Sequence, residues 1–115
     1  LTIPANTVIL NAGLEVTEAH AGTSTDTDFD FGITGGDLDN FVDGFDFDGA
    51  SVGDYAMKAG QTPVLVGGTS DTIDIEIQAM TGTTTGGKVR MFAVVMNVDD
   101  QGDLAANEVD RDTLA

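Results

Sequence analysis

The run Thr7 to Thr17 reads TVILNAGLEVT, with Val8, Leu10, Ala12, Leu14 and Val16 on one side of an extended chain and Asn11, Glu15 and Thr17 on the other. Alternation of period two predicts a half-buried strand. Thr25 to Ile33 behaves alike: Thr27, Phe29, Phe31 and Ile33 make an inner face, and Asp26, Asp28 and Asp30 an outer one. Asp71 to Ala79 sets Ile73, Ile75, Ile77 and Ala79 against Asp74, Glu76 and Gln78. Pro63 to Val66 is a short apolar strand closed by Gly67-Gly68. Lys88 to Val98 differs, because Val89, Met91, Ala93 and Val95 on one face are matched by Phe92, Val94, Met96 and Val98 on the other. A strand apolar on both faces is one that is covered twice. The second cover is expected from another sheet or from a neighbouring subunit.

Glycines punctuate these runs. Gly35-Gly36 ends the second strand, Asp37 is placed to cap one short helical turn over Leu38 to Val42, and Phe45 to Ala50 reads as a further strand. Thr81 to Gly87 (TGTTTGG) is expected to be a hairpin loop. Short strands between glycine turns, without any long helical period, predict an all-β antiparallel sandwich or jelly roll with that one helical turn. From Asp99 the chain becomes polar, so residues 1–98 are expected to form the β-sandwich domain and 99–115 a tail or docking arm.

Composition narrows the function. With 115 residues, 41% of them hydrophobic, the chain is a single globular domain rather than a disordered one. No apolar run reaches the roughly 18 residues of a membrane span. The opening Leu1-Thr2-Ile3-Pro4-Ala5 lacks the basic start of a signal peptide and reads like a strand begun part-way, so the natural N-terminus is expected to lie further upstream. Acidic residues number 20 against 4 lysines and arginines, a formal charge of −16. Such a surface argues against nucleic acid and anionic membranes as partners, both of which select for Lys and Arg clusters. The absence of cysteine excludes disulfides, thiol catalysis and zinc-thiolate sites.

The acids invite a metal reading. Asp26, Asp28 and Asp30 sit at calcium-loop spacing, but Phe31 holds the sixth place where that loop needs glycine. In a strand they also stand about 6–7 Å apart, too spread to wrap one ion. Asn97 to Glu108 follows the loop grammar better, with Asn97, Asp99 and Gln101 at the odd places, Gly102 sixth, Leu104 eighth and Glu108 twelfth. Its preceding segment is a strand rather than a helix, and Gln101 is a weak ligand, so no metal ligand and no cofactor is assigned. Gly82 to Lys88 matches G-x-x-x-x-G-K, yet Val89 stands where a phosphate loop needs Ser or Thr and a strand follows instead of a helix. The one histidine, His20, has Glu18 near it but no serine placed as a nucleophile. A glycosidase pair of carboxylates would want aromatic sugar platforms, and the chain has no tryptophan. No catalytic residue is assigned, and the expected function is non-enzymatic.

The runs Ile3 to Ala5, Val16 to Ala19, Asp30 to Gly44 (DFGITGGDLDNFVDG), Val64 to Ile77 and Gly87 to Val98 (GKVRMFAVVMNV) together resemble small structural proteins of tailed bacteriophages. The pattern is most similar to capsid decoration, or cement, proteins of marine or cyanobacterial phages. The resemblance implies a β-sandwich, often a homotrimer, bound to the major capsid protein on the outer surface of the virion head. It carries no site residues with it. Two rival expectations are a head-fibre or tail component and a secreted calcium-dependent binding module.

Overall fold

The computed structural model describes residues 1–98, so Asp99 to Glu108 of the second calcium-like run, and the expected tail 99–115, lie outside the described residues. Eight strands appear in chain order: β1 (Thr2–Ile3), β2 (Thr7–Gly22), β3 (Asp26–Ile33), β4 (Val42–Asp46), β5 (Tyr55–Ala56), β6 (Val64–Val66), β7 (Asp71–Thr81) and β8 (Thr84–Asn97). They build two antiparallel sheets, one ordered β1-β7-β3-β4, the other with β2 at its centre. β8 pairs along β2 from Thr7 to Gly22, while β6 and β5 share the opposite edge of β2 in turn. The all-β antiparallel expectation therefore holds in two facing layers.

Between the layers lie Ile3, Ile9, Ala12, Leu14, Phe31, Ile33, Phe41, Val42, Val66 and Ile73. Phe31 and Phe41 meet edge to face with centroids 6.1 Å apart. Gln61 ties the layers: its side chain accepts from Ala12 N–H at 2.9 Å and donates to the carbonyls of Ala12 and Phe41 at 2.7 and 2.9 Å. Each apolar side chain fully withdrawn from water contributes about 1.5–3 kcal/mol.

The strict alternation expected along β2 breaks at Leu10. Ile9 faces Val95 and Asn11 faces Val94, consecutive residues of β8, so Leu10 is squeezed out of the ladder as a bulge. One extra residue inverts the faces. Thr7 and Ile9 point inward before it; Ala12, Leu14 and Val16 point inward after it, and Leu10 is left exposed. β7 has the same feature: Phe29 faces Ile77 but Asp28 faces Ala79, so Met80, opposite the fully buried Thr27, succeeds Ile77 on the inner face instead of Ala79.

No helix forms at Leu38 to Val42, where one helical turn is expected: Leu38 and Asp39 make a turn in which Asp37 Oδ1 accepts the Asp39 N–H, Asn40 and Phe41 bend, and Val42 begins β4. Backbone pairing prevails over the cap. Ile33 N–H donates to Asp37 C=O and Phe41 N–H to Phe31 C=O, both at 2.9 Å, laying the loop directly on β3. Gly32 permits this, since a Cβ there would stand 2.2 Å from Asp37 O. The strand expected at Phe45 to Ala50 is accordingly shifted to Val42–Asp46. Nor is Thr81 to Gly87 a hairpin loop: only Gly82 and Thr83 lie between β7 and β8, and those strands belong to different sheets.

Candidate functional site: an uncovered sheet face

The outward side of the β2 sheet is apolar over most of its length. Val8 has Leu65 of β6 opposite it on one side and Met96 of β8 on the other, and directly opposite residues share a face. Next along β8, Val94 stands opposite Asn11 and Phe92 opposite Gly13. Tyr55 of β5 then meets Phe92 edge to face at 6.2 Å. Gly13 is the floor under this aromatic pair, because a Cβ there would come within 2.5 Å of Met57 Cγ and 2.9 Å of the Phe92 ring. Relative exposures are 62% for Leu65, 63% for Tyr55, 50% for Met96, 49% for Val94 and 47% for Met57. Contiguous apolar surface of this kind marks an interaction site. It is the second face of the closing strand, and no other described residues cover it.

The patch ends in charge. Glu15 opposes Arg90 and Glu18 opposes Lys88 across the same ladder, and both pairs form ion pairs. The hydrogen bond and attraction of Lys88 lower the Glu18 carboxyl below its ordinary value and raise the ammonium of Lys88 in return. Two of the few basic side chains are thereby neutralised at the rim. On the inward faces, Ile77 of β7 and Val95 of β8 are also 52% and 46% exposed.

The aspartates of β3 separate into different roles. Asp30, expected outside, is 5% exposed. The β3–β4 register slips between Phe29 and Phe31, and the Asp30 carboxylate accepts the Gly44 N–H left there, at 2.8 Å. Asp26 takes a hydroxyl contact from Thr81. Asp28 does not group with its neighbours along the strand. It meets Asp46 and Asp48 across it, with one oxygen of each carboxylate within 4.8 Å of the others. Desolvation first, then repulsion from Asp26, Asp46, Asp48 and Asp30, pushes the Asp28 carboxyl above its ordinary value. Three hard oxygen donors at that spacing could hold a divalent cation. The strand spacing that argued against an ion along β3 is silent on this cross-strand group.

His20 lies against the edge of Phe47, its Nε2 at 3.0 Å from Thr84 Oγ1. Thr84 continues to Thr27 and Thr27 to Ser24, a chain of hydroxyls that joins both sheets where β7 crosses to β8. Glu18 turns to Lys88 instead of orienting the imidazole. Thr84 to Lys88 of the phosphate-loop-like run are strand residues of β8, so no helix N-terminus follows them. Comparisons with family models, curated proteins and solved structures found no match to this chain.

The double apolar face of β8 was legible as alternation. Leu65 and Tyr55 were not, because β5 and β6 are too short to show a period, nor was Met57, which lies just past β5. The bulge at Leu10 could be suspected only from Ile9, an apolar residue on the wrong side of an otherwise regular run.

Proposed function

We propose that the chain is a non-enzymatic structural protein of a phage virion, which decorates the capsid and stabilises the shell. The observation that carries this reading is the uncovered apolar face of Leu65, Val8, Met96, Val94, Phe92 and Tyr55 on an otherwise strongly acidic chain. A face of that kind is suited to lasting contact with the major capsid protein or with copies of the chain in a homotrimer. Burial of the face at joints between capsid subunits adds its binding free energy to the stability of the shell by mass action. The sequence pattern supports the same assignment.

The test is pelleting of the protein with purified capsids, and localisation of its density on the shell. Apolar attachment holds or strengthens as salt rises to about 0.7 M, where screening falls to roughly 3–4 Å. Steep release at that salt would show that ion pairs hold the protein and defeat the apolar mechanism, and absence from intact virions defeats the decoration reading. The Asp28, Asp46 and Asp48 group favours one rival, a calcium-dependent binding module. A large rise in melting temperature with calcium and no affinity for capsids would select that rival.

A further inference from the structure

The flank opposite β8 carries a groove of about 450 Å³ between the edge strands β4 and β5. Asp43, Phe45 and Asp46 line one wall, and Tyr55, Met57 and Lys58 the other. At one end the two walls are joined, since Lys58 N–H donates to Phe41 C=O. Beyond that link, among the described residues, β4 has ladder bonds on one side only, to β3. Phe47 N–H donates to Thr27 C=O at 2.9 Å. Amides alternate in direction along an antiparallel strand, so the peptide groups of Asp46 face the groove. An open strand edge beside exposed apolar side chains is the arrangement that accepts an added strand.

Charge selects the occupant. Lys58 is engaged already, 3.6 Å from Asp39 and 3.5 Å from Asp43. Asp46 has Asp28 and Asp48 behind it, and no ion pair of the described residues includes any of these three. We propose that this groove receives an extended segment of a partner protein bearing a lysine or arginine, its backbone added to the open edge of β4 and its cation seated at Asp46. The Asp28 carboxyl, pushed up first by desolvation and then by its acidic neighbours, agrees with this, because an incoming cation relieves the repulsive part. Among the described residues a second copy of the chain fits less well, because their basic side chains, Lys58, Lys88 and Arg90, are each committed to carboxylates of their own chain. The groove shares Tyr55 and Met57 with the apolar face, but Leu65, Val94 and Met96 are absent from its lining, so a response at Asp46 and residues 42–46 distinguishes the two surfaces.

The test is a titration of the intact protein, followed by amide resonances, with a short capped peptide of alternating valine and threonine around a central arginine. The same peptide with glutamate at the centre is the control. The arginine peptide is expected to move resonances of residues 42–46 and 55–59, and the glutamate peptide to leave them in place. Asp46→Asn keeps the oxygen that accepts Gly49 N–H, and should weaken binding about two- to fivefold, the worth of one exposed charge pair. Tyr55→Ala, at a largely exposed position, should weaken it as well without unfolding the chain. Equal binding of both peptides, no effect of Asp46→Asn, or shifts confined to other strands would overturn the proposal. So would self-association that depends on Asp46, or calcium chloride moving Asp28, Asp46 and Asp48 while the arginine peptide moves nothing.

Discussion

Replacing Leu65 by alanine separates folding from assembly. Full burial of a leucine side chain is worth about 1.5–3 kcal/mol. Leu65 is 62% exposed in the single chain, so only the smaller part of that value already supports the fold. The expected loss of folding stability is about 0.5–1 kcal/mol, or a melting decrease of roughly 2–8 °C in a domain of this size. The exposed part is worth about 1–2 kcal/mol once a partner covers it. That corresponds to a dissociation constant weakened about 5- to 30-fold for each contact that includes Leu65. Sedimentation velocity reads the self-association, and pelleting with capsids reads occupancy. A thermal melt of the dilute protein reads the folding term alone. Met96→Ala, at 50% exposure on the same face, should act in the same direction. Should Leu65→Ala lower the melting temperature as expected while self-association and capsid occupancy both stay unchanged, the face is not the contact and the reasoning fails.

Three further outcomes follow from the interior and the acid strip. Phe31→Ala should cost about 3–5 kcal/mol, the range for a fully buried phenylalanine, whereas Phe29→Ala should cost clearly less, since Phe29 is half-buried and stacked on Phe47 at 4.8 Å; equal losses in denaturant titrations would contradict the placement. Asp28→Asn should raise stability at pH 7, within about 0.5 kcal/mol, because a folded-state carboxyl pKa held above its ordinary value makes ionisation costly to the fold. Asp28 favours folding only where it is protonated, so the advantage of the variant should vanish as the pH falls below the ordinary aspartate value of 3.8, and a variant less stable than the parent at pH 7 would refute this. Deleting Leu10 should leave a cooperatively folding protein, as it removes the one residue unmatched between Ile9 and Asn11 on the β8 ladder. Deleting Gly13 instead should abolish cooperative unfolding, because it sets Ala12 and Leu14 on opposite faces, and denaturant titration of both variants decides between these outcomes.

What the sequence determined by itself is whatever a period of two can carry. β2, β3, β7 and β8 follow from alternating side chains, and so does the class of the fold. The doubly apolar β8 announced a surface in need of a cover. The partner strand, however, chooses which residue is expelled from a ladder. Leu10 and Gln78 read as ordinary members of their runs, and only the spacing of β8 and β3 makes them bulges that invert the faces beyond them. The same holds for Asp30, whose neighbours place it in water. It is buried because the slipped register of β4 brings an amide, that of Gly44, to its carboxylate. Asp37 carries the local signal of a cap, but Gly32 lets the following loop lie on β3, where the Ile33–Asp37 and Phe41–Phe31 backbone bonds outweigh one short helical turn. Asp28 lies far along the chain from Asp46 and Asp48 and meets them only across the β3–β4 ladder. Alternation is a local property of one strand, whereas register belongs to pairs of strands, and pairing is settled only when the two sheets close on a common core.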